Sequence, residues 1–271
     1  MHFAPRWFTP AAAVVLCAAV ALEPRPGRAA PQPGREMSTD RPDATESPFT
    51  LEPGRAQLEM SFATYERDRQ GGTRTAAWEA APFNLRFGLT RNTEAGFFVV
   101  PYQRVTGQPR GEPRSSLGGR GDFTARTKWN LRGNDGGDFG AGVILDVTLP
   151  TAPRRFGPRK VEAALTLPTA FEIGRGWSGG AMTSIQAVRA GEGRHRAVWF
   201  NTVTAGHDLT ADLGGFAELA STTGDGAHVL TFNCGLTRRL NDNLQLDGGI
   251  NVGITRTAPD LLLFAGMSRR F

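Results

Sequence analysis

The 271-residue sequence predicts an all-β fold: a transmembrane, antiparallel, up-and-down β-barrel of about 12 strands. Three observations predict it. Segments of period two follow one another from about residue 55 to the C-terminus, several running about eleven residues. A strand in a soluble protein usually has about five or six, whereas a tilted membrane-crossing strand needs about 9–11. Short turns alternate with longer, charged loops.

Composition agrees. The chain holds 34 Gly and 17 Phe, with a hydrophobic fraction of 39%. Past residue 22 no apolar run approaches the ~18 residues of a membrane helix. The formal charge of +5 is scattered, with no dense basic run interleaved with aromatics, so nucleic acid is not an expected partner.

Residues 1–29 resemble an export signal: Arg6 at the start, an apolar stretch from Ala11 to Leu22, then Gly27-Arg28-Ala29 as a small-x-small cleavage site. Leu16 stands where a small residue should precede a lipidated Cys17, so a lipoprotein is disfavoured. Cleavage leaves Cys234 alone, without an internal disulfide. Residues 30–54 are rich in Pro and charge and are expected to form an irregular periplasmic segment. Thr39-Asp40-Arg41-Pro42-Asp43 within it has two readings: it folds back to occlude the barrel mouth, or it is a flexible lead-in, the commoner state of such termini. Residues 55–271 form the barrel.

Strands are expected at 55–67, 75–87, 94–106, 121–131, 139–150, 160–173, 177–189, 196–207, 214–222, 228–237, 244–256 and 261–271. In 75–87, Trp78 and Ala80 take one phase and Phe83, Leu85 and Phe87 the other, so a bulge near Pro82 is required. In 121–131, Phe123, Ala125, Thr127, Trp129 and Leu131 oppose Asp122, Thr124, Arg126, Lys128 and Asn130. In 139–150, Phe139, Val143, Leu145, Val147 and Leu149 oppose Gly140, Gly142 and Asp146. In 160–173, Val161, Leu165, Leu167, Phe171 and Ile173 oppose Glu162, Thr166 and Glu172. Either face of 196–207 could be the apolar one. In 244–256, Leu244, Leu246, Ile250, Val252 and Ile254 oppose Gln245, Asp247 and Asn251. In the last strand, Leu261, Leu263, Ala265 and Met267 share a face with Phe271.

Short turns fill the even-to-odd places, among them GLTRNT (88–93), RGNDGG (132–137), GRG (174–176), DLTADL (208–213) and RLNDNL (239–244). The odd-to-even links include the long 107–120 and 151–160. An even strand count puts both termini on the short-turn, periplasmic side.

The apolar faces are read as lipid-facing. Trp129, Trp177 and many Phe lie toward strand ends, as in an aromatic girdle, and the opposite faces mix small residues with single charges of both signs, which suits a crowded lumen. In hydrocarbon every backbone N–H and C=O must be paired, so the sheet must close. The terminal Phe271 is typical of chains handed to the outer-membrane assembly machinery. Arg269 departs from that pattern and must lie near the interface, where an Arg costs about 0–1 kcal/mol.

The lumen reading assigns Glu59, Arg86, Arg126, Lys128, Asp146, Glu162, Glu172 and Asp247 to the interior, where they either pair structurally or set ion preference. No catalytic residue is assigned: His195, His207 and His228 lack an accompanying G-x-S-x-G. No His/Cys/Asp cluster has metal spacing, and no cofactor is expected.

The stretches STDRPDATESPFT (38–50), GRAQLEMSF (54–62), APFNLRFGLTRNTE (81–94), GDFTARTKWNLRGND (121–135), GHDLT (206–210) and LNDNLQLDGGINVGIT (240–255) together resemble the "MetA-pathway of phenol degradation" family of outer-membrane proteins. The resemblance implies a single-chain barrel in the outer membrane with a transport role. The expected function is passage of small solutes, aromatic or other apolar compounds included. The alternative is a non-conducting barrel that acts through its extracellular loops. Expected partners are outer-membrane lipid, the assembly machinery and a small-molecule solute.

Overall fold

A computed structural model describes residues 34–156, 159–190, 194–224 and 226–271. The expected export signal lies outside them. Fifteen strand segments are present among the described residues: β1 (Ala56–Gln70), β2 (Thr73–Ala80), β3 (Phe83–Gly88), β4 (Thr93–Val99), β5 (Tyr102–Pro109), β6 (Ser115–Gly119), β7 (Phe123–Arg132), β8 (Phe139–Leu149), β9 (Glu162–Gly174), β10 (Trp177–Arg189), β11 (His195–Asp208), β12 (Leu213–Gly224), β13 (Ala227–Asn241), β14 (Leu244–Gly253) and β15 (Leu261–Arg270). β2 continues into β3, β4 into β5 and β6 into β7, so the segments make twelve crossings of one antiparallel sheet. β15 pairs with β1 and closes it.

The bulge expected near Pro82 is present. β1 shifts register between Ser61 and Ala63, and its two halves face β3 and β2 in turn. Ala81 stands at the break with φ 52°, and Ser61 N–H donates to Pro82 O at 3.0 Å. The phase switch in the sequence therefore keeps Trp78 and Leu85 on the same outer face.

The long loop expected at 107–120 is mostly strand: β5 runs to Pro109, and Ser115–Gly119 pairs with it. Small residues there form a ladder without an alternating apolar signal. Among the described residues β6 has no strand partner on its other side. Residues 150–156 seal that place. Arg120 Nε donates to Thr151 O (3.1 Å), Ala152 N–H donates to Asp122 Oδ1 (2.7 Å), and Arg155 donates to Gly118 O.

Apolar side chains form the exterior band. Trp129, Phe139, Leu145, Leu165, Leu167, Val203, Leu219, Phe232, Val252 and Leu263 are all exposed on the protein alone. In β11, Val198 and Thr202 point inward and Trp199 and Val203 outward. Arg269 lies outside at the short-turn end, its guanidinium 5.2 Å from the Phe271 ring, which keeps the charge at the interface.

Candidate functional site

Residues 34–54 carry neither helix nor strand; their ends are exposed at the short-turn mouth, and the stretch between lies inside the barrel. They run through the short-turn half of the lumen, and their polar groups meet the inward side chains of most strands. An irregular backbone can sit at membrane depth only where protein or water satisfies it, and here the wall does so.

Asp40 sits at the centre. Its carboxylate lies 2.5 Å from Lys128 Nζ and 3.6 Å from both Arg86 and Arg126. Burial works to raise its pKa, but the three cations outweigh it and hold the carboxyl well below the usual range. Arg86 reaches Glu59 (2.6 Å) and Glu94 (2.8 Å). Arg126 bridges Asp146 on the wall and Glu46 on the segment, each at 2.7 Å. The side chains of Arg86, Lys128, Glu59 and Glu94 are no more than 2% exposed. The network belongs to β1, β3, β4, β7 and β8.

On the other side, Arg41 forks onto Asp247 of β14 (Nε 3.1 Å, Nη2 2.5 Å) and donates to Ser61 Oγ (2.7 Å). A Cβ at Gly266 would strike Met60 O and the Arg41 guanidinium, so β15 has glycine where this side chain passes. Glu218 of β12 accepts from the N–H groups of Ala44 (3.0 Å) and Thr45 (2.8 Å) and from Asn233 Nδ2 (2.6 Å). Near the turns, Thr50 N–H donates to Asn134 Oδ1 and Leu51 N–H to Glu94 Oε2.

Of the eight residues the sequence assigns to the lumen, Glu59, Arg86, Arg126, Lys128, Asp146 and Asp247 come together around this segment. Glu162 also points inward, but it belongs to a separate cluster near the long-loop rim with Arg189 (3.0 Å), which also binds Asp122 (2.6 Å). Glu172 is exposed at the short-turn mouth. Sequence reasoning missed Asp40, Glu94 and Glu218. The last two share the inward phase of their strands, a signal that could have found them. Nothing in the pattern around Asp40 announces its partners.

The interior has two halves. From β9 to β13 the inward side chains include Ala164, Thr166, Met182, Ser184, Val188, Val198, Thr202, Ala220 and Val229, with few charges. Between this half and the segment lies a cavity of about 340 Å³, lined among others by Asp43, Phe49, Thr169, Ser178 and Phe216.

Burial, and then the nearby charge of Glu218, pushes the Asp43 carboxyl up to about 7. A raised carboxyl favours the folded state below its ordinary value and loses that contribution as pH rises through 7. The thermal midpoint is therefore expected to fall between pH 5 and pH 8, and to fall less in Asp43→Asn. Equal pH dependence in the two proteins would refute this role for Asp43.

The histidines are engaged locally. His195 Nε2 contacts Val161 O, His207 stacks on Trp177 at 4.3 Å, and His228 Nε2 meets Ser221 Oγ at 3.1 Å on the outer face. Among the described residues no three metal-ligating side chains converge.

Residues 39–271 match the model of a family described as "Putative MetA-pathway of phenol degradation". No curated protein matches the chain. Among solved structures, the COG4313 outer membrane channel from Pseudomonas putida F1 superposes with a TM-score of 0.60 at 13% identity, over 82% of this chain and 98% of that one. The β domain of the Bordetella autotransporter BrkA gives 0.56 at 13% identity, over 81% and 100%. The NanC porin gives 0.51 at 6%, over 78% and 98%. At such identities the likeness shows the fold, that of an outer-membrane β-barrel.

Proposed function

We propose that this chain, which belongs to the MetA-pathway of phenol degradation family, is an outer-membrane channel that passes small solutes, aromatic and other apolar ones included, beside its N-terminal segment. The observation that carries the reading is the cavity of about 340 Å³ left between residues 38–49 and the wall. The space opens at the short-turn mouth, beside Asp138, Glu172 and Asp208, and so gives a solute a way in alongside the segment. The wall beyond it carries the inward Ala164, Met182, Val188, Val198, Ala220 and Val229, which offer an apolar solute an apolar surface. The likeness to a solved outer-membrane channel supports the same reading.

On this reading Glu59, Arg86, Arg126, Lys128, Asp146 and Asp247 set the shape of the path by fixing the segment, and their charges pair with one another and with Asp40, Arg41 and Glu46 of the segment. Glu162 steadies the long-loop rim, and Glu172 stands free at the exit. The chain is read as a non-enzyme.

A liposome-swelling assay tests this. Proteoliposomes are expected to swell in small neutral solutes and in phenol-sized aromatics, and to exclude oligosaccharides. No entry of any solute would instead leave a filled, structural barrel.

A further inference from the structure

We infer that the outward face of β1, β2 and β5, just below the long-loop rim, seats one phosphate-bearing lipid of the outer leaflet. The seat has two tiers. The lower tier is aromatic: Tyr65, Trp78 and Tyr102 are all exposed, and the Trp78 and Tyr102 rings lie 5.4 Å apart. The upper tier is cationic: Arg67 and Arg69 on β1 and Arg74 on β2 are all exposed, and the exposed Arg104 on β5 flanks the aromatic tier beside Trp78.

Pairing and alternation fix the direction of these side chains. Arg69 lies opposite Arg74, and Trp78 lies opposite Arg104. The residues between them, Glu66, Asp68 and Glu79, take the inward phase, so the acids of these strands face the lumen and the bases face out. Among the described residues none of these arginines is ion-paired with a carboxylate. Arg104 donates only to Ser116 Oγ, at 3.1 Å.

Depth places the tiers. Phe271 N–H donates to Ala56 O at the opposite rim. From Ala56 to Tyr65 the strand climbs about nine residues at about 3.3 Å each, tilted by about 40°, or about 23 Å. That is close to the ~25 Å apolar band, so Tyr65 marks its upper edge. Arg67 and Arg69 then stand at headgroup height.

Arg67, Arg69 and Arg74 on paired strands, with no acid among them and Arg104 beside Trp78 below, repel one another unless an anion lies between. Arginine forks match phosphate oxygens. A membrane lipid supplies both halves of the match, phosphates against the upper tier and acyl chains along the aromatic tier and Leu263, which lies opposite Tyr65. A solute bound for the lumen would not meet these groups, since they face away from it.

Native mass spectrometry of the full chain in detergent tests this, after exchange with diphosphorylated lipid A, with its dephosphorylated form, or with phosphatidylglycerol. One diphosphorylated lipid A per chain is expected to be retained. The combined variant Arg67→Gln, Arg69→Gln, Arg74→Gln should hold it about a hundredfold more weakly. Arg238→Gln, at the opposite rim and paired with Asp212 at 2.6 Å, should leave retention unchanged. Equal retention of the dephosphorylated lipid, or by the triple variant, overturns the inference, and equal retention of phosphatidylglycerol overturns its assignment to the outer leaflet. Should the triple variant fail to show the heat-modifiable mobility of a folded barrel, the three-lipid comparison on the unaltered chain decides alone. None of these readouts depends on transport.

Discussion

Arg86→Ala is expected to destabilise the barrel by about 3–5 kcal/mol, the cost of breaking a buried ion pair from one side. The guanidinium is only 1% exposed and faces three carboxylates, Glu59, Glu94 and Asp40. Its removal leaves them with Lys128, which lies 2.5 Å from Asp40 and 3.7 Å from Glu94, and with Arg126, 3.6 Å from Asp40. No neighbouring cation can swing in, because Arg126 is already committed to Asp146 and Glu46. Arg35→Ala is the control: its carboxylate partner Asp135 is 63% exposed, and a pair with one partner in water contributes little. Urea titration followed by heat-modifiable gel mobility measures both. A midpoint in Arg86→Ala equal to that of Arg35→Ala would show that the network is not a keystone.

Deleting residues 34–50 is expected to raise single-channel conductance several-fold. In the intact chain these residues fill the short-turn half of the lumen, held from β1 round to β14 by Asp40, Arg41, Thr45 and Glu46. Without them the wall cluster keeps Arg86, Arg126 and Lys128 against Glu59, Glu94 and Asp146, which balance, so water can fill the space without a large excess of one sign. Asp247 loses Arg41, and Glu218 loses Ala44 and Thr45 and keeps Asn233, so a modest preference for cations should accompany the rise. Planar-bilayer recording reads both quantities. An unchanged conductance would mean that the constriction lies elsewhere.

Much of the barrel is legible in the sequence because one solvent is lipid and the other is a polar lumen, which writes period two into each crossing. The phase switch from Trp78 to Phe83 shows the bulge before any coordinate does. β6 is not legible: Ser115–Gly119 has no alternating apolar set, since it pairs on one side only. β11 hides its orientation because Val198 inside and Trp199 outside are both apolar. The inward charges can be read from phase, but their partners cannot. Arg41 meets Asp247 across 206 residues of chain, and Thr45 meets Glu218 across 173, from a segment without any periodicity. Long-range pairing from an irregular stretch leaves no local trace.

That same geometry ties the fate of residues 41–45 to the last strands made. Arg41 and Thr45 precede β1, yet their carboxylate partners belong to β14 and β12. A chain stalled before its C-terminal hairpins arrive would leave this thread half-moored and dangling at the periplasmic side, open to a protease. Only a completed cylinder draws it in, so its concealment certifies that assembly has finished.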